Sequence, residues 1–120
     1  MIEILPESEG RILAIRASEK LTDEDYKEVF IPRMDQLITE FGRIRVLITM
    51  AENFKGWEAT AMWDDASFGM KHKEQFEKIA VVGAPKWVEW GIKLGGHLMP
   101  GAVKTFPASQ LQAARDWLNQ

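Results

Sequence analysis

The sequence predicts one α/β domain spanning residues 1–120, a mixed β-sheet flanked by helices in the element order β-β-α-β-α-β-α-β-α. Three observations predict it. Short apolar, β-branched runs such as Ile44-Arg45-Val46-Leu47-Ile48 and Lys78-Ile79-Ala80-Val81-Val82 have the length and composition of strands covered on both faces. Between them lie longer stretches whose apolar residues recur every three or four positions, the period of a helix packed on one side. The 120 residues suffice for one core and are too few for two.

Taken in order, Ile2 to Leu5 and Arg11 to Ala17 read as strands of an opening hairpin across the spacer Pro6-Glu7-Ser8-Glu9-Gly10. Thr22 followed by Asp23, Glu24 and Asp25 puts a capping hydroxyl and three carboxylates at a helix start, where free amides and the positive dipole end await them. Tyr26, Val29, Phe30, Met34, Leu37, Ile38 and Phe41 continue that helix to a stop at Gly42. Pro32 inside the run predicts a kink or break near Ile31. After the strand beginning at Ile44, helical spacing returns from Trp57 to about Lys73 through Ala59, Met62, Ala66 and Met70. Lys78 to Val82 is the next strand, and Pro85 opens a third helix where a missing amide costs nothing. Ala102 to Phe106 forms the last strand, and Ser109 is placed to cap a closing helix with Leu111, Ala114, Trp117 and Leu118 on its apolar side.

Composition excludes several classes of function. Fifteen Lys and Arg against eighteen Asp and Glu give a net charge of −3 with no concentrated basic face, so no nucleic-acid partner is expected. The absence of cysteine removes disulfides, thiolate metal sites and thiol nucleophiles. No stretch approaches the roughly 18 apolar residues of a membrane span. The start Met1-Ile2-Glu3-Ile4 has no basic region leading into an apolar one, and a reducing, cytoplasmic setting is the expectation.

No constellation for catalysis emerges. His72 and His97 have no ligand-spaced partners, so no metal is predicted and both read as solvated or capping residues. Gly91, Gly95 and Gly96 form no phosphate-binding or dinucleotide fingerprint, and no cofactor is expected. Asp64 and Asp65, about 100° apart on a helix, read as a solvated face rather than an acid and base sharing a substrate. No serine stands in a nucleophile-elbow context. The chain is therefore expected to be non-enzymatic.

Five tryptophans stand out. On a projection of the third helix, Trp87, Trp90 and Leu94 fall on one side with Leu98, while Val88, Ile92 and Met99 adjoin them. The apolar sector spans roughly 200°, twice the ~100° stripe that packing on one sheet face requires. Something else must cover half of it. The candidates are the neighbouring helix at Met62, Trp63, Phe68 and Met70, an apolar ligand held between the two helices, a partner subunit or a membrane interface. Flexible methionines suit a pocket that repacks around varied apolar ligands. Gly91, Gly95 and Gly96 weaken this helix, so a movable lid is a further expectation.

The element order resembles that of the SpoIIAA-like family. So do the two central runs quoted above and the ending Lys104-Thr105-Phe106-Pro107 through Ala114-Arg115-Asp116-Trp117-Leu118. The resemblance covers nearly the whole chain. It implies a STAS-type domain, related to anti-sigma factor antagonists and similar in outline to lipid-carrying CRAL-TRIO domains. In the antagonists a phosphorylatable serine lies where the central strand meets the following helix. Here that segment is Met50-Ala51-Glu52-Asn53-Phe54-Lys55-Gly56-Trp57 and contains no hydroxyl.

Two functions follow as expectations. The first is a binding module for an apolar small molecule or lipid, with peripheral membrane contact as an extension, using Met62, Trp63, Trp87, Trp90 and Leu94. The second is a STAS-type protein-interaction module acting through Asn53, Phe54, Lys55, Gly56 and Trp57. A homodimer is compatible with either.

Overall fold

A computed structural model describes residues 1–95 and 101–120, and side-chain burial for residues 1–93 and 101–120. Among the described residues, seven strands and four α-helices run in the order β1 (Ile2–Ile4), β2 (Ile12–Ala17), β3 (Lys20–Leu21), α1 (Ile31–Phe41), β4 (Ile44–Met50), β5 (Gly56–Trp57), α2 (Ala59–Lys71), β6 (Phe76–Val82), α3 (Lys86–Gly95), β7 (Ala102–Phe106) and α4 (Leu111–Leu118). The main sheet has the order β1-β2-β4-β6-β7; β1 is antiparallel to β2 and the other neighbours are parallel. The short strands β3 and β5, which the sequence reading did not separate from their surroundings, form a second parallel pair.

The three parallel connections all advance in one direction across the sheet. Crossovers of one hand then place their helices on one face, and the core divides accordingly. Leu13, Ile15, Val46 and Val81 pack with Met34 and Leu37 of α1, Ala61 and Phe68 of α2, and Val88 of α3. The alternate strand positions Ala14, Leu47, Ala80 and Val82 pack with Ala114 and Leu118 of α4, alone on the opposite face. The apolar runs of β4 and β6 therefore serve two cores, as their continuity predicts.

The first helix starts with a reciprocal cap. The Asp25 amide donates to Thr22 Oγ1 at 3.2 Å while the Asp25 carboxylate accepts from the Thr22 amide at 2.9 Å. A π-helical turn, Asp25–Phe30, follows, with the Ile31 amide bonded five residues back to the Tyr26 carbonyl. Regular α winding resumes at Ile31 with Pro32 in its first turn, so the break expected near Ile31 is a change of helical pitch. Gly42 ends α1 at φ 78°, a conformation that side chains disfavour.

Three expectations are corrected. Trp57 belongs to β5, and α2 begins at Ala59. The stripe Ala59, Met62, Ala66 and Met70 is exposed, and α2 buries Ala61 and Phe68 instead. Ser109 does not cap α4; it lies in a 3-10 turn, Ala108–Gln110, and makes no capping hydrogen bond.

The α4 face is also fastened electrostatically. Arg45 on β4 donates to the Leu118 carbonyl and, at 2.9 Å, to that of Gln120, while Lys78 on β6 donates to the Trp117 carbonyl at 2.9 Å. Two cations thus meet the carbonyl end of a helix, where its dipole is negative. Glu77 accepts from Arg45 Nε at 2.7 Å, and this hydrogen bond holds its carboxyl below the usual range.

Candidate functional site

The two sides of the sheet differ in what lies between sheet and helix. Against α2 and α3, a cavity of about 830 Å³ opens over Ile15, Val46, Ile48, Ile79 and Val81 of the central strands. It has the size and apolar lining of a small-molecule site. The helices stand off because the side chains they send inward are few. Ala61 and Phe68 are the buried residues of α2, and Val88 is the buried residue described on α3.

Trp57 and Trp87 form part of the wall, with Phe54 packed against both. Phe54 and Trp87 stack with centroids 6.1 Å apart, and Trp57 meets Phe54 and Trp87 edge-on at 5.1 and 5.7 Å. Gly56 is required between them: its φ is 109°, and a Cβ there would lie 3.4 Å from the Trp87 ring. The loop is held from behind, where the Lys55 amide donates to the Glu19 carbonyl at 2.7 Å and the Glu58 amide to that of Leu21 at 2.8 Å.

Among the polar groups on the cavity wall are Tyr26, Lys55 and Asp65. Trp57 Nε1 donates to the Tyr26 hydroxyl at 2.7 Å, which leaves the tyrosine proton for the nearby Asp65 carboxylate. Burial holds the tyrosine well above the ordinary phenol range, and the negative charge of Asp65 adds to the effect. Asp65 itself is pushed up by the protein packed around it, although the cavity leaves it open to solvent. The Asp64–Asp65 pair is reached by solvent, as expected, but its two carboxylates meet different surroundings. Asp65 faces the cavity, and Asp64 turns to Asp23 at the start of the first helix. Their mutual hydrogen bond raises the carboxyl of Asp64 and lowers that of Asp23.

Of the residues predicted to bind an apolar ligand, Met62 and Trp87 lie on the wall. Trp63 and Trp90 do not: they are 74% and 67% exposed, pointing away from it. Leu94 belongs to α3, with its side chain outside the described residues, as are His97, Leu98 and Met99. From the predicted interaction loop, Lys55, Gly56 and Trp57 line the cavity, Phe54 is buried beside them and Asn53 is exposed. Two sets of residues read as separate surfaces thus meet at one cavity. Sequence reasoning missed Tyr26 and Asp65. The available signal was position: Asp65 stands four residues after Ala61 and three before Phe68, a carboxylate within an otherwise buried stripe.

His72 sits at the C-terminal end of α2, beside the Phe68 ring and 3.7 Å from the Asp35 carboxylate. Among the described residues no cluster of three His, Asp or Glu side chains could hold a metal, and no helix is long and apolar enough to cross a membrane.

The SpoIIAA-like family model matches residues 12–119, which is most of the chain. The chain belongs to the SpoIIAA-like family. The architecture agrees: a solved structure of an uncharacterized protein of the DUF3478 family with a SpoIIAA-like fold, from Shewanella loihica PV-4, is similar over 98% of this chain and 92% of that one. Its TM-score is 0.75 and its sequence identity 31%. No curated protein matches the chain. A SpoIIAA-like, STAS-type fold supports a regulatory or binding module, and the family is generally non-enzymatic.

Proposed function

We propose that this protein is a non-enzymatic module that binds an apolar small molecule or lipid between its sheet and helices α2 and α3. The observation that carries the reading is the cavity of about 830 Å³ with an apolar floor and an aromatic wall. The space is open to solvent on one side and lined mainly by apolar side chains. Water gains little from walls built of Ile and Val, whereas an apolar chain gains ~25 cal/mol for each Å² it removes from water. Peripheral membrane contact is the natural extension, since Met62, Trp63, Met70 and Trp90 present large apolar side chains to solvent.

Tryptophan emission during titration with decanol, and separately with phosphatidylcholine vesicles, tests the reading. A saturable blue shift with decanol is expected, diminished in Trp87→Phe and retained in Trp90→Phe because, of these two, Trp87 alone lines the cavity. A vesicle response diminished in Trp90→Phe supports the membrane extension. No response to decanol at any soluble concentration overturns the reading and returns attention to protein partners of the loop Asn53 to Trp57.

A further inference from the structure

An apolar cavity with one carboxylate in its wall discriminates among apolar ligands by their head groups. Asp65 is carried by α2 on the same side as Ala61 and Phe68, so the helix that closes the cavity also presents the carboxylate to it. Its neighbour there is the Tyr26 hydroxyl, a neutral donor already fixed by Trp57. None of the ion pairs among the described residues includes Asp65. A carboxylate in such surroundings gains most from a cation that arrives with its own apolar covering, because the pair forms away from bulk water.

Lys55 lines the same cavity and is the competing anchor, for an anionic head. Solvent reaches both side chains, but the protein packed around Asp65 raises its carboxyl, and a ligand cation relieves that penalty where an anion does not, so the acid determines the preference.

Resting on the reading of the cavity as a ligand site, we infer that its ligand is an amphipathic cation, an aliphatic or aromatic chain ending in an amine. The chain lies on Ile48, Ile79 and Val81, and the ammonium donates to Asp65. Tyr26 acts as a positioning residue that holds one carboxylate oxygen and leaves the other for the ligand.

Calorimetric titration with three probes of one chain length separates this assignment from the reading beneath it. Decylamine, decanol and decanoate are compared at neutral pH with the wild type, Asp65→Asn and Asp65→Glu, each first shown to melt cooperatively. Decylamine is expected to bind at least about tenfold more tightly than decanoate, the worth of one charge-assisted hydrogen bond. Asp65→Asn should abolish that preference while decanol binds as before, and Asp65→Glu should retain it. Equal or tighter binding of decanoate, or an amine preference that survives in Asp65→Asn, overturns the head-group assignment and leaves the cavity reading standing on decanol. If none of the three binds the wild type, both fall.

Discussion

The two faces of one sheet are built from neighbouring residues of the same strands and reach opposite results. On the α4 face, Ala14, Ala80 and Ala114 let the helix approach closely, Leu47 and Leu118 fill the space, and Arg45 and Lys78 hold the helix end. On the other face, Ile48 and Ile79 are larger than those alanines, yet the helices above them leave a cavity. The difference arises in the helices. A short helix that points Ala114 and Leu118 inward, with Leu111 and Trp117 packed beside them, closes its face. Over the cavity, Met62, Asp65, Ala66 and Gly69 of α2 line an open space instead. The closed face is a core, and the open one is where binding can occur.

Adjacent residues of β4 break the comparison most directly. Leu47 is fully buried under α4, and Ile48 is half-buried on the floor of the cavity. Leu47→Ala should lose ~2–5 kcal/mol, the cost of a cavity in a packed core. Ile48→Ala removes a group that already borders open space and should lose well under half as much. Urea denaturation of both variants measures the difference; equal losses would mean that the cavity face is packed in solution.

Enlarging side chains sharpens the same contrast with a smaller effect. Ala80→Leu forces extra methyl groups into the α4 face and should cost ~1–3 kcal/mol. Ala66→Leu projects into the cavity and should be neutral or stabilising, while weakening decanol binding. Loss of stability in both variants would contradict an open cavity. Arg45→Met comes next. It leaves the Leu118 and Gln120 carbonyls and Glu77 without their donor, and ~1.5–3 kcal/mol should be lost in the same denaturation experiment.

The closed face was largely legible in the sequence and the open one only in part. Continuous apolar runs placed β4 and β6, and the spacing of Leu111, Ala114, Trp117 and Leu118 placed α4, because packing on both sides constrains every position of those elements. The π-helical turn left a trace only in Pro32, since its extra residue is a property of backbone pitch. Strands of two residues, Lys20–Leu21 and Gly56–Trp57, have no periodicity to read, and their pairing spans 36 residues of sequence. In the candidate site, Trp87 and Met62 were visible as surplus apolar residues, but a helical projection could not tell that Trp63 and Trp90 point outward. Asp65 was not singled out because α2 was given the stripe of Met62, Ala66 and Met70. Turning the helix onto Ala61 and Phe68 brings the carboxylate to the cavity wall.

The two faces should also respond to pH with opposite sign, the smallest effect and the one most specific to charge. Glu77, beside Arg45, has its carboxyl held below the unfolded value. Its contribution to stability is present above the ordinary carboxylate range and is lost as pH falls through the folded value. Asp65 is raised by burial, so the native state binds its proton more tightly than the unfolded chain does. Stability from that proton is complete below the unfolded value and is lost as pH rises through the folded one. At neutral pH, Glu77→Gln should therefore lower Tm and Asp65→Asn should raise it. Both differences should shrink on acidification toward pH ~3, below the ordinary carboxylate range. Thermal melts between the two conditions decide it. A fall in Tm for Asp65→Asn at neutral pH would mean that the carboxylate has a cationic partner in solution, and the cavity would then lack the unpaired charge that selects an amine.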